Sequence, residues 1–195
     1  MTVQIHCSGG FVTRVLATGV TAVLFVILLP RLTYSLEGGP MSDLGQSFLQ
    51  KAAQGHYAQV ALGQLAVQKG SHDQVKQYGA RMIQDHQRVG EEVGKLTRQG
   101  GSPLPSHLSM QHQQIQQKLS QLSGKDFDIA YISFIVRDHM KNFAELEQGS
   151  KSLTTDPRIG HVTASTLPLL KDHLEQAKAL AATIGVREQD INEVN

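Results

Sequence analysis

From about Ser42 onward, apolar side chains recur at intervals of three and four, and no stretch shows the period-two alternation of a half-buried strand. That spacing puts the apolar residues on one face of a helix and turns the face toward a core. It predicts long helices over residues 43–69, 72–98 and 126–153. A fourth runs to 184 from a Thr155-Asp156-Pro157 cap. In the second helix the stripe is Val75, Met82, His86, Val89, Val93 and Leu96. In the third it is Ile132, Val136, His139, Phe143 and Leu146, and in the last Leu170, His173, Ala177, Leu180 and Ile184.

The stretch from Gly100 through Pro103 to Pro105 reads as the clearest loop. A shorter, Gln- and His-rich helix over 106–122 follows, ended by Ser123-Gly124. Four long helices with one long connection match an all-α, up-down four-helix bundle over 42–184, with the short helix as the crossover. Pro168 should kink the last helix or break it at Thr166. Glycines inside helices (Gly55, Gly63, Gly79, Gly90, Gly94, Gly149) cost up to ~1 kcal/mol each relative to alanine, and close helix approach is one reason to keep them. Residues 185–195 form a polar tail expected to fray.

Residues 1–36 read differently. Arg14 precedes an apolar run over 15–29, interrupted by Thr18, Gly19 and Thr21 and ended by Pro30. As a helix the run would span ~22 Å, short of the ~30 Å of a bilayer core. That favours a signal peptide, with an uncleaved membrane anchor as the alternative. Either would place the folded part in the periplasm or cell envelope.

Composition narrows the functions. The chain carries 18 Lys+Arg against 17 Asp+Glu, and two of the cations, Arg14 and Arg31, lie in the N-terminal segment. Without a basic face, nucleic acid is not an expected partner. The one cysteine, Cys7, precedes the apolar run, so the rest of the chain has neither thiol chemistry nor disulfides.

Three helices repeat one pattern: two apolar residues, one long polar residue, then Asp-His. It occurs as Met82-Ile83-Gln84-Asp85-His86, Ile135-Val136-Arg137-Asp138-His139 and Leu169-Leu170-Lys171-Asp172-His173. Each histidine lies on its apolar stripe and near its helix midpoint. Midpoints are the one level that meets in a bundle whichever way the helices run, so the three imidazoles should converge in the core. Each Asp sits ~100° round the helix from its own His and is placed to reach a neighbouring helix or solvent.

Converging imidazoles have two readings. One is a transition-metal site (Zn, Cu or Fe) with His86, His139 and His173 as ligands. Asp85, Asp138 and Asp172 would then orient the rings from behind. His56 or Gln59, at the midpoint of the first helix, is the candidate fourth ligand. The other reading is a hydrogen-bonded polar layer that fixes helix register, in a structural or interaction module of the envelope with no metal. Met82, one turn from His86, would suit copper but reads more simply as core packing.

The usual carboxylate-bridged di-iron pattern is missing, since no histidine has Glu three residues before it. There is no nucleophile elbow, phosphate loop, Cys-x-x-Cys or Glu-bearing zinc-protease motif. No reaction is predicted, although a three-His site with an open position is a kind that permits chemistry. His72, His107 and His112 read as solvated, and Tyr57, Tyr78 and Tyr131 as core-edge residues.

The chain also resembles a known group. Phe48-Leu49, Ala53-Gln54-Gly55, Val60-Ala61-Leu62-Gly63, Asp85-His86, Leu122-Ser123-Gly124, Phe127-Asp128, His139, Thr166-Leu167-Pro168 and His173-Leu174 are similar to landmarks of one bacterial domain family of unknown function. That family is commonly labelled "predicted outer membrane protein" and grouped with ferritin-like bundles. The resemblance implies an envelope location and a ferritin-like fold, and no established reaction. In one respect the chain departs from it: the family usually carries Glu on the first helix where Gln59 stands here. If that Glu is a ligand, its loss weakens the case for a tight metal site.

Overall fold

In a computed structural model of the chain, residues 40–105, 107–152 and 156–193 are described. The expected targeting segment over 1–36, with Cys7, lies outside them. The described residues form an all-α bundle of six helices with no strand among them. None of these helices is long and apolar enough to cross a membrane.

The helix ends follow from local chemistry. Helix α1, Asp43–Lys69, starts where the Ser42 hydroxyl accepts the Gly45 N–H at 3.2 Å. Helix α2, Asp73–Gln99, is capped by His72, whose Nδ1 accepts the Gln74 N–H at 3.3 Å. Helix α3 is Met110–Ser120, capped by Ser109. Helix α4, Gly124–Ser152, follows directly. Helix α5, Pro157–Ile184, has Asp156 as its cap and ends on Gly185 at φ 80°. A short α6 covers Glu188–Glu193.

Three expectations change. The crossover helix is shorter than 106–122: Leu108 is buried ahead of it, and the extended Ser109, whose hydroxyl caps the helix, sets a later start. Helix α5 runs unbroken through Pro168. The proline and Ala164, whose carbonyl loses its i+4 donor, both lie on the exposed face, where water can take that carbonyl. The polar tail is helical in part. Val186 and Ile191 pack against the core, and Arg137 Nη1 donates to the Ile191 carbonyl at 3.0 Å.

Two apolar clusters reveal the helix directions. One joins the end of α1 (Leu62, Ala66), the start of α2 (Val75, Met82), the start of α4 (Phe127, Tyr131) and the end of α5 (Ala177, Leu180). The other joins the start of α1 (Leu49, Ala53), the end of α2 (Val89, Val93) and the start of α5 (Ile159, Val162). So α1 and α5 run one way and α2 and α4 the other, which is what a crossover through α3 imposes. Asp128 ties the α1–α2 turn to α4, accepting from the backbone N–H groups of Ser71 and His72 at 3.0 and 2.8 Å.

Helices α1 and α2 approach closely at two glycines. A Cβ on Gly63 would lie 2.8 Å from the Gly79 carbonyl oxygen, and one on Gly79 2.9 Å from that of Gly63. Backbone meets backbone there, so neither position admits a side chain without the helices moving apart.

Candidate metal centre

Between the two apolar clusters lies a polar layer made of four histidines, one from each long helix. His56 comes from α1, His86 from α2, His139 from α4 and His173 from α5, and all four are buried. Ring centroids are 5.8 Å apart for His86–His139, 5.1 Å for His86–His173 and 5.7 Å for His139–His173. His86, His139 and His173 each offer one ring nitrogen within 4.8 Å of the others. The Asp-His repeat thus converges as its midpoint positions require.

The hydrogen bonds of this layer are incomplete. His173 Nε2 lies 3.0 Å from Asp85 Oδ2, so this nitrogen carries the proton and donates it, which leaves the lone pair on Nδ1. His56 Nδ1 and His86 Nδ1 are 2.9 Å apart, one donating and the other accepting. His56 Nε2, His86 Nε2 and His173 Nδ1 have no hydrogen-bond partner, and neither ring nitrogen of His139 has a well-formed one, the Ile135 carbonyl one turn back pulling only weakly against burial. Buried polar atoms in folded proteins are nearly always paired, and a layer built only to fix register would be expected to satisfy its own nitrogens.

Burial also sets the protonation state. It pushes His139 down to about 3 and, with a smaller contribution from His173, His56 down to about 4. His86 falls well below its usual value, chiefly through burial and then through the neighbouring histidines. His173 is lowered by burial too, against the pull of Asp85. The imidazoles are therefore neutral at pH 7, the form that binds metal, and a metal would have no proton to displace.

The three aspartates divide. Asp85 reaches across from α2 to His173 on α5. Burial alone would raise it, but bonds from His173 and Arg81 outweigh that and hold it below the usual carboxylate range. Asp172 meets no imidazole. It takes Arg81 Nη2 at 2.5 Å, and Arg81 Nε bonds Asp85 at 3.2 Å, so Arg81 links two of the three. Asp138 turns away from the layer, accepting from Gln59 Nε2 at 2.6 Å and Asn142 Nδ2 at 2.8 Å. Burial pushes Asp138 up to about 6. Of the three expected ring-orienting carboxylates, only Asp85 is placed to act as one.

Of the two fourth candidates, His56 joins the layer through His86, whereas the Gln59 amide nitrogen is committed to Asp138. Arg81 and Asn142 stand outside the Asp-His repeat, although the i,i+4 spacing of Arg81 and Asp85 is a readable helix pair. His112, expected to be solvated, is half-buried. Its Nδ1 lies 2.8 Å from Ser109 Oγ, and its Nε2 lies 4.0 Å from Asp138 Oδ1. Met82 is fully buried in the apolar cluster.

Residues 35–180 match a family described as a domain of unknown function, DUF4142. The chain belongs to this family. Neither a curated protein nor a solved structure matches it. The DUF4142 match spans all four histidines and all three Asp-His pairs.

Two openings lead into this DUF4142 bundle toward His56 and His86. A cavity of about 620 Å³ lies among α1, α4 and α5, with Phe48, Leu146 and Leu170 in its wall. Another of about 590 Å³ lies along α1 and α2, beside Gly90 and Leu104. Both have His56 and His86 in their walls.

Proposed function

We propose that this is a cell-envelope helical-bundle protein that binds one transition-metal ion through His86, His139 and His173. The observation that carries the reading is the convergence of three buried, neutral imidazoles whose nitrogens lie within 4.8 Å of one another. His86 Nε2 and His173 Nδ1 have no protein hydrogen bond to give up, and His139 has only a weak one, to the Ile135 carbonyl on one side of its ring. Asp85 supports the same reading, because a carboxylate on the far nitrogen of a ligand histidine fixes the tautomer and raises ligand basicity. His56 plays a similar part for His86: by accepting from its Nδ1, it would leave the Nε2 lone pair free for metal.

Neutral imidazole suits zinc, copper or iron. Bonds of about 2.0–2.1 Å to one zinc hold its ligand atoms roughly 3.3–3.5 Å apart, so loading draws the three rings inward. A purely structural layer is the competing reading, and the unpaired nitrogens weigh against it. The envelope location rests on the apolar run over 15–29 and on the resemblance to a group labelled "predicted outer membrane protein". The resemblance likewise supports a ferritin-like grouping of the fold.

The test is metal content. Full-length protein without a His tag is offered zinc, copper, iron and nickel in turn, desalted and analysed for bound metal. The reading expects about one ion per chain for at least one metal, lost in His139→Ala and His173→Ala. Less than about 0.2 ion per chain for every metal, unchanged by these substitutions, overturns it.

A further inference from the structure

The cavity among α1, α4 and α5 has a distinctive division of chemistry. Among the described residues its only charged linings, Lys51 and Glu145, are exposed, and Phe48, Leu146 and Leu170 supply apolar wall. Three further residues of this wall, His56, Gln59 and Thr166, are at least nine-tenths buried. Each carries a polar atom with no hydrogen-bond partner: His56 Nε2, Gln59 Oε1 and Thr166 Oγ1. An unpaired buried polar atom is costly, by about 1–3 kcal/mol. Three of them among the residues lining one largely apolar cavity of about 620 Å³ point to a pocket for a small molecule with one polar end.

We infer that this cavity binds a neutral, hydroxyl-bearing apolar molecule, such as a substituted phenol, with its hydroxyl among His56, Gln59 and Thr166. A hydroxyl both donates and accepts. It can donate to Gln59 Oε1, which can only accept, while accepting from the Thr166 hydroxyl or from a protonated His56 Nε2. A charged head would find no opposite charge at the inner end and would lose its hydration there. The apolar body would lie against Phe48, Leu146 and Leu170. Phe48 is held close to α4 because Gly149 has no side chain: a Cβ there would lie 2.6 Å from the Phe48 ring. Gly55, also in the wall, faces open space, with nothing within 4 Å of where its Cβ would be.

None of the three polar atoms belongs to the proposed ligand triad, so the inference stands apart from metal binding, and the experiment uses chelator-treated, metal-free full-length chain. The probe is 1-naphthol, followed by its own fluorescence, which a chain without Trp does not obscure. One saturable site with Kd below about 1 mM is expected. Gly55→Leu and Ala52→Leu, which fill the cavity from one wall, should weaken binding at least about tenfold while the chain stays folded and melts cooperatively. Partition into detergent or into another apolar segment would not respond to either. Thr166→Val should weaken 1-naphthol and leave 1-methylnaphthalene unaffected, and 1-naphthoate should bind more weakly than 1-naphthol. Absence of a saturable site overturns the inference. So does binding indifferent to both cavity-filling changes, or equal affinity for 1-naphthol and 1-methylnaphthalene.

Discussion

His173 on α5 is held by Asp85 on α2, Nε2 to Oδ2 at 3.0 Å, so the aspartate of one Asp-His pair orients the histidine of another. This cross-helix bond leaves the lone pair of His173 on Nδ1 inside the histidine layer. Asp85→Asn keeps the shape and removes the charge. We predict a 10–100-fold loss of metal affinity, the usual cost of removing such a partner, measured by competition with a chelator of known affinity. Asp172→Asn, which loses only the exposed contact with Arg81, should leave affinity within about twofold.

His139 separates function from stability. It is fully buried, and neither ring nitrogen makes a well-formed hydrogen bond, the Ile135 carbonyl one turn back pulling only weakly against burial. His139→Leu replaces a poorly satisfied polar ring with an apolar side chain of similar size. We predict that it raises the melting temperature of metal-free protein, by the order of 1–3 kcal/mol of relieved desolvation, while abolishing metal loading. A fall in melting temperature would mean that the ring has hydrogen-bond partners in solution.

Acid should destabilise the metal-free fold. His56 and His139 sit at about 4 and about 3 in the folded chain against 6.5 when unfolded, and His86 is lowered as well. Below pH 6.5 the unfolded chain takes up protons that the folded chain refuses, so stability present above pH 6.5 is lost as pH falls toward 4. Asp138 opposes this trend. Its folded value of about 6 exceeds the ordinary 3.8, so between those values the folded chain binds the extra proton. Thermal melts from pH 7 to pH 4 should therefore show a declining melting temperature, and Asp138→Asn should make the decline steeper.

Gln59 suits the partner it meets on α4. Its amide donates to Asp138 at 2.6 Å, where a glutamate would set carboxylate against carboxylate. Gln59→Glu should destabilise the protein at pH 7 by about 1–3 kcal/mol. The penalty should shrink at pH 5, where Asp138 is largely protonated. Equal penalties at both pH values would contradict the pairing.

The glycines give a contrast within α1. Gly63→Ala forces a Cβ to within 2.8 Å of the Gly79 carbonyl and should cost about 1–3 kcal/mol. Gly55→Ala meets nothing and should stabilise by up to ~1 kcal/mol. Urea unfolding of the two variants measures both.

Much of this was legible in the chain. The three-four stripes place His86, His139 and His173 on buried faces, and their midpoint positions bring them to one level, because period and length are local properties. The partners of the aspartates were not legible. Asp85, Asp138 and Asp172 occupy the same position in the repeat, yet one meets a histidine, one a glutamine and one an arginine. That outcome depends on how far each helix is rotated against its neighbours, which no single segment encodes. The shorter α3 and the docked α6 were hidden for a related reason. Leu108 and Ile191 are lone apolar residues in polar surroundings, and only the finished core gives them something to pack against.

The most direct test of the metal centre is anomalous diffraction from crystals of the metal-loaded protein, recorded at the absorption edge of the bound metal. A single strong peak among His86, His139 and His173, about 2.0–2.1 Å from one nitrogen of each if the metal is zinc, is the predicted result. Metal bound elsewhere on the chain, with no peak between these rings, would contradict it.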